Sequence, residues 1–523
     1  MKKKDLKILF VIPSLRLGSP TKFLPVGIGS ILTVIKQHGF NFDVLDIDIH
    51  NYDDNYVEQF VSNNQYDIVL TGCIVTHYKW VKWLTHKIRK NYPKTCIIVG
   101  NSVAGSCPEV FLRNSAADFS VIGEGELTCL DLLCKLRDGL PTNNIQGIAF
   151  IDDKDNFVQT EKRIACNIND LPMVDWEILD VQKYLETSDY AGAEGLVVDD
   201  TNPPRVMPVS TARGCAFKCS FCHYVFWNDP YRFRKPSSVL KEIRRNIEQY
   251  GANYINFWDD LSFAGIQQAE KMVDAILGSG LKFNWNAAIR VDLFGHPRNT
   301  YKRRREVAEK FKRAGCLNVG FSLESGNQEI LDMMNKKIKP EYFQEQVEIM
   351  KDVGITCSTS VVFGYPIETL ETINQTFDLC YNTGVYPSIG YLLPLPYTGM
   401  YKWAIENDYI KCEDTYLDSI SERQDLCLNL TKLEDKEIMY AISTGAENLN
   451  KKMGLGLKPD KLIKTGGYRK HNKKTFNNVI DPTNIKRKEN DFSFNYSEAL
   501  FDIDLGVEKN TKNLSSQKEK GKK

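Results

Sequence analysis

Short apolar runs rich in Val and Ile recur along most of this 523-residue chain, each followed by a stretch with helical periodicity. That alternation constrains the fold strongly. Parallel strands cannot be joined by tight turns, so every crossover needs a helix, and the result is a parallel sheet covered by helices. In residues 1–145 the predicted strands are 7–12, 42–47, 67–72, 96–100 and 118–122. Helices are predicted between and after them at 27–38, 53–63, 78–90, 107–114 and 126–138. With right-handed crossovers this is an α/β domain with a doubly wound parallel sheet. Residues 146–205 read as a connector with a strand near 147–151, broken by Leu171-Pro172 and Asn202-Pro203-Pro204.

Alternation resumes with strands at 206–211, 254–258, 284–289, 317–323, 356–363 and 386–393, and helices at 237–250, 266–278, 304–314, 340–353 and 369–383. Six β/α repeats are fewer than the eight of a closed barrel. Residues 206–400 are therefore predicted to form a partial, open (β/α)6 barrel. Residues 401–506 read as helical and then irregular, and 507–523, Lys-rich and nearly without apolar residues, as a disordered tail.

Lys+Arg 67 against Asp+Glu 67 leaves no net charge, which argues against nucleic acid as a general partner. No run approaches the ~20 apolar residues that cross a bilayer. The short apolar run after Lys2, Lys3 and Lys4 has no small-residue cleavage site behind it, so it reads as a buried first strand rather than a secretion signal. A chain this long does not need its 14 cysteines as a disulfide scaffold. Their usage points to metal chemistry in a reducing cytoplasm.

Three of the cysteines are clustered in Arg213-Gly214-Cys215-Ala216-Phe217-Lys218-Cys219-Ser220-Phe221-Cys222. This C-x3-C-x2-C spacing places three thiols on one short loop after the first barrel strand. Three thiolates do not close a tetrahedral zinc site, and His223, adjacent to Cys222, would be a strained fourth ligand. They do suit an iron–sulfur cubane with three irons held by protein and one left open for a ligand. The other eleven (Cys73, Cys96, Cys107, Cys129, Cys134, Cys166, Cys316, Cys357, Cys380, Cys412 and Cys427) have no ligand spacing.

Cys215, Cys219 and Cys222, with Phe221 before the last, resemble the radical S-adenosylmethionine (SAM) signature. Further segments continue the likeness around the barrel: Trp258-Asp259-Asp260, Arg290-Val291-Asp292, the run from Gly320 through Glu324 and Ser325 to Gly326, and Val362-Phe363-Gly364-Tyr365-Pro366. In the first domain Ala117–Glu126, ending Gly123-Glu124-Gly125-Glu126, is similar to a segment of the cobalamin-binding subfamily. The likeness, over roughly 5–400, implies a cobalamin-binding domain followed by a radical SAM barrel. It implies a [4Fe-4S] cluster on the three cysteines, SAM, cobalamin, and an electron donor such as flavodoxin or ferredoxin. It also implies reductive cleavage of SAM to a 5′-deoxyadenosyl radical, and methylation or rearrangement of an unactivated carbon of a small-molecule substrate.

The chemistry of SAM then assigns expected roles. Arg290 can pair with its carboxylate, and Asp259 or Asp260 can accept from its ammonium. Glu324 and Ser325 can bind ribose hydroxyls, and Gly364 allows close approach of the adenine. Cobalamin is expected on the strand ends at Ser14, Gly72, Gly100 and Gly123. One departure is the absence of a histidine in the loop 14–26, where related domains place a cobalt ligand. Asp48-Ile49-His50 imitates half of that motif but follows the second strand. Cobalt is therefore expected to carry no protein histidine.

Two other readings of the same residues remain. A methylthiotransferase-like enzyme acting on tRNA or protein would need a second cluster, which Cys73, Cys96 and Cys107 could imitate. A non-catalytic iron–sulfur or corrinoid protein would bind without turning over SAM. The basic run from Arg298 to Arg313 is partly neutralised by Glu306 and Glu309 and reads as the solvated face of a barrel helix.

Overall fold

Ile8-Leu9-Phe10-Val11-Ile12 is buried at every position, as a strand covered on both faces must be. In the computed structural model, which describes residues 6–14, 22–187, 204–222, 229–420 and 424–463, this segment is β1, Ile8–Ile12. It pairs in parallel with β2 (Asp43–Asp46) on one side and β3 (Ile68–Gly72) on the other. β4 (Cys96–Gly100) and β5 (Phe119–Val121) extend the parallel array. The order β2-β1-β3-β4-β5 reverses direction between β1 and β3, which opens a crevice at the strand ends there.

The sheet is larger than expected. β6 (Ile148–Ile151) and β7 (Phe157–Gln159), in residues read as connector, add two antiparallel strands beyond β5, giving seven in all. The 14-residue helix Gly125–Asp138 ends at Gly139, in the left-handed conformation that glycine adopts at low cost, and returns the chain to β6. One predicted strand is shorter than expected: Ile47–His50 turns into a helix because Asp46 caps it, accepting from the Ile49 amide.

The second sheet has six parallel strands: β8 (Val206–Val209), β11 (Tyr254–Phe257), β12 (Asn284–Ala288), β13 (Cys316–Gly320), β14 (Thr356–Phe363) and β15 (Pro387–Tyr391). They are joined in sequence order, and among the described residues β8 and β15 are unpaired edges, so the barrel is open as the repeat count implied. A small antiparallel hairpin, β9 (Ala212–Arg213) with β10 (Arg232–Phe233), flanks the cysteine loop. Trp285, Phe257 and Phe311 stack on the helix side of this sheet, burying its outer face.

After β15 the chain is helical. Helix Asp435–Met453 lies so close to helix Leu370–Thr383 that a Cβ at Gly445 would meet the Phe377 ring at 2.3 Å. Asp414, on helix Glu413–Ser419, accepts from Tyr78 at 2.7 Å and Lys82 at 2.5 Å, tying this region to the first sheet's helix Tyr78–Asn91. The tail expected from 507, and His223, lie outside the described residues. Among the described residues no helix is long and apolar enough to cross a membrane. The basic run is held in ion pairs: Arg303 and Lys310 with Glu270, Arg304 with Glu345, and Arg305 with Glu309.

Candidate functional site

The cysteine loop leaves β9 through Gly214, whose φ of +79° is a left-handed conformation that a side chain would strain. It is clamped from outside by the segment after β13. The Ser220 amide donates to the Met334 carbonyl at 2.8 Å, and Asn335 Nδ2 donates to the Lys218 carbonyl at 2.7 Å. Burial pushes the Cys215 and Cys222 thiols up, and the neighbouring Cys219 adds to the effect in both. Three mutually interacting sulfurs in a dry loop are unfavourable as bare thiolates and favourable around a cationic cluster. Among the described residues no His, Cys, Asp and Glu side chains converge as a single-ion site. A cubane, whose ligands spread over three irons, does not require that.

The pair Asp259-Asp260 divides in two. Asp259 is fully engaged. It accepts from the Thr211 amide at 2.8 Å, the Ala212 amide at 3.0 Å and the Thr211 hydroxyl at 2.6 Å, which fixes the strand leading into the cysteine loop. Asp260 opens on a cavity, with no hydrogen-bond partner among the described residues. Burial among protein atoms and then the charge of Asp259 push its carboxyl up to about 6.

The structure gives Arg290, Glu324, Ser325 and Gly364 other partners than those expected for SAM. Arg290 donates to Asp292 at 3.0 Å and to the Lys336 carbonyl at 2.7 Å, and its guanidinium lies 3.4 Å from the centre of the Phe217 ring. Glu324, at φ +67°, accepts from Lys336 at 2.9 Å in a buried ion pair. Lys336 in turn sits over the Phe221 ring at 5.8 Å. Ser325 Oγ accepts from the Asn327 amide at 3.1 Å, shaping a turn. Gly364, at φ +108°, donates its amide to Glu368 at 3.2 Å. Burial pushes Glu368 up to about 7. Arg290 and Lys336 thus support the cysteine loop from beneath.

The cavity, about 690 Å³, lies between the two sheets. Gly72, Gly100 and Gly123 line it at the ends of β3, β4 and β5. A Cβ at Gly123 would meet nothing within 4 Å, so the end of β5 leaves open space on the cavity, whereas one at Gly72 would touch Asn101 and one at Gly100 would touch Val121. Ser14 is a correction: it is buried, donates to Asp48 at 2.8 Å and does not line the cavity. His50 does not line it either; its Nδ1 lies 3.0 Å from Lys183 Nζ. Cys73 and Cys96 lie at opposite ends of the parallel pair β3–β4, because Ile68 is in register with Cys96 and Gly72 with Gly100. With Cys107 they make no second triad.

Sequence reasoning missed two features of the cavity wall. Asn256, Asn286 and Asn318 stand side by side in register on β11, β12 and β13 and line the barrel side. The available signal was an amide inside strands otherwise apolar. The second is a cluster of charges. Arg213 contacts Glu124 at 3.2 Å and Glu126 at 2.7 Å, while Arg232 contacts Glu124 at 2.6 Å. Burial alone would raise the Glu124 carboxyl, but Arg232 and Arg213 hold it below the usual range. The two acids belong to Gly-Glu-Gly-Glu and the first arginine precedes the cysteine motif, so the residues were visible in the sequence while their pairing was not.

Family comparisons match the two parts of the chain separately. The B12 binding domain model matches residues 17–133, and the Radical SAM superfamily model matches 209–380. The chain belongs to the radical SAM enzymes that carry a B12-binding domain. It is 26% identical to an uncharacterised methyltransferase of Pyrococcus horikoshii over 416 residues, 78% of this chain and 85% of that one. Two solved structures share the fold. The radical SAM methyltransferase TsrM from Kitasatospora setae, with cobalamin and a [4Fe-4S] cluster bound, superposes with a TM-score of 0.61 at 18% identity. The match covers 78% of this chain and 79% of TsrM. The cobalamin-dependent enzyme OxsB, with aqua-cobalamin and SAM bound, gives 0.61 at 17% identity over 72% of this chain. Only 52% of OxsB is covered, so the chain spans about half of its length.

Proposed function

We propose that this enzyme uses SAM and cobalamin to methylate an unactivated carbon of a small molecule in the cavity between its two domains. The observation that carries the reading is the position of that cavity: Gly72, Gly100 and Gly123 of the B12-binding domain face Asp260 and Arg213 of the radical SAM domain across it. Cys215, Cys219 and Cys222 would hold the cluster, and the glycine strand ends would receive the corrin. When bound, these groups supply a reducing electron and a transferable methyl group, with a flavodoxin or ferredoxin as the electron source.

The chain's own residues contribute placement and polarity. Asp260, with its carboxylate open to the cavity, is the natural acceptor for the SAM ammonium. Asp259 holds Thr211 and Ala212, and so the approach to Gly214, in one conformation. Arg290 stacks on Phe217 and keeps that side of the cysteine loop packed. The first-domain wall of the cavity, including Phe10, Ile31 and Leu70, presents an apolar surface to the space where reacting groups would meet. The names of the Pyrococcus horikoshii relative and of TsrM favour methyl transfer over rearrangement.

The test is anaerobic reconstitution with iron, sulfide and cobalamin. The wild-type chain should hold both cofactors and consume SAM under reductant. Cys215→Ala, Cys219→Ala and Cys222→Ala should each lose iron and SAM cleavage, while Cys380→Ala, a buried thiol of a barrel helix, should keep both. SAM left intact by the loaded wild type would make the chain a binding protein instead.

A further inference from the structure

Glu124 and Glu126 belong to the first domain, at the start of helix Gly125–Asp138. Arg213 and Arg232 belong to the second, on the hairpin β9–β10 beside the cysteine loop. The four side chains meet with two positive and two negative charges, none more than 15% exposed. The fork of Arg213 spans both acids. Arg232 grips both oxygens of Glu124, at 2.6 and 3.2 Å, and donates to the Cys166 carbonyl at 2.7 Å. Ser30 adds a hydrogen bond to Glu126 at 2.8 Å, fixing that carboxylate from the helix Val26–Gln37.

Buried ion pairs are poor adhesives, since apolar packing of the same volume is often as stable or more so. Their specific contribution is geometric: bidentate arginine–carboxylate contacts fix orientation as well as distance. Here the orientation concerns both cofactor sites. Arg213 is joined directly to Gly214, one residue before Cys215, so moving its guanidinium moves the start of the cysteine loop. Glu124 and Glu126 flank Gly125 and follow Gly123, whose strand end faces the cavity.

We propose that Glu124 and Glu126, acting through Arg213 and Arg232, are positioning residues that set the distance and orientation between the corrin face of the first domain and the cluster loop of the second. This rests on the cofactor reading above and goes beyond it, because it assigns the spacing of the two cofactors to four named side chains. None of the four needs to touch a reacting atom. Misplacing reacting groups by about 1 Å can slow a reaction by roughly a hundred-fold, so such a frame is a sufficient reason for burying four charges.

The test uses the holoenzyme frozen with cobalamin as Co(II) and the cluster reduced, both paramagnetic, so that pulsed dipolar EPR reads their separation. Wild type should give one narrow distribution. Glu126→Gln and Arg213→Lys, which removes the fork, should shift it or broaden it about two-fold, and SAM consumption should fall by about a hundred-fold. Lys82→Met breaks a part-buried ion pair remote from the cavity, so it should lower the melting temperature and leave the distribution unchanged. Hydrogen exchange on the cofactor-free chain gives a second measure. Amides of 212–222 should lose protection in Glu126→Gln and Arg213→Lys but not in Lys82→Met. Unchanged distances, or unchanged exchange in that segment where a variant loses a cofactor, would overturn the proposal. A wild-type chain that binds neither cofactor would overturn the cofactor reading and this proposal with it.

Discussion

Removing the charge of Glu324 tests whether that carboxylate supports the cysteine loop or contacts SAM. Lys336 lies 2.9 Å from Glu324, and the two side chains are 11% and 6% exposed. Burial alone would pull Lys336 down, but Glu324 and then Cys219 outweigh it, holding the ammonium above its ordinary pKa. At 2.9 Å and an effective dielectric constant of about 20, the attraction is ~6 kcal/mol, much of it offset by desolvation. Breaking such a pair typically costs about 3–5 kcal/mol. Glu324→Gln keeps a hydrogen-bond acceptor, so the lower end, about 3 kcal/mol, is expected. At roughly 2–4 °C per kcal/mol for a domain of this size, the melting midpoint should fall by about 6–12 °C.

The double variant Glu324→Gln with Lys336→Met leaves no uncompensated charge. It should recover to within about 1 kcal/mol of wild type. The assay is thermal unfolding of the cofactor-free chain, followed by circular dichroism under anaerobic conditions, for wild type, both single variants and the pair. Single variants melting within about 1 °C of wild type would refute the argument. So would a double variant that falls as far as the sum of the singles.

Two further predictions concern acidic groups. Asp260→Asn should not lower stability, because it removes a charge that its surroundings and Asp259 disfavour, and should weaken SAM binding ten- to a hundred-fold, roughly, in calorimetric titration. Asp259→Asn should behave oppositely, costing about 1–3 kcal/mol of stability by leaving loop donors short of an acceptor; equal SAM affinity in Asp260→Asn and wild type would exclude Asp260 from the site. Glu368 rises from 4.5 to about 7 on folding, because of burial, so between those pH values the folded chain keeps a proton that the unfolded chain has lost. Its contribution therefore favours folding at low pH and is lost as pH rises through that window, by about 3 kcal/mol. Glu368→Gln should flatten the slope of melting temperature against pH over that range, and parallel slopes would rule this out.

The elements were legible because periodicity is local. Strand 96–100 and helix 266–278 fall where alternation and amphipathicity put them. The strand expected over 42–47 was cut short by one side chain, Asp46, whose cap starts a helix that apolar pattern alone does not reveal. The strand near 147–151 was legible, but its antiparallel pairing with β5 and β7 was not: strand propensity names a strand but not the edge it joins.

The sequence by itself determined that this chain builds two β/α sheets, with a cysteine trio after the first strand of the second and glycines at the strand ends of the first. Each of those is a property of neighbouring residues, carried by periodicity or by motif spacing. Only the tertiary structure decided what each polar side chain meets. Arg213 and Glu126 are 87 residues apart, and Asp259 and the Thr211 amide 48 apart. Arg290 and Glu324 carry the charges that SAM would attract, yet one stacks on Phe217 and the other pairs with Lys336, whereas Asp260 alone of those candidates keeps an open carboxylate. A side chain's chemical type is written in the chain, but whether its charge is compensated depends on groups brought within about 3 Å by folding, where electrostatic energies fall steeply with distance and depend on burial.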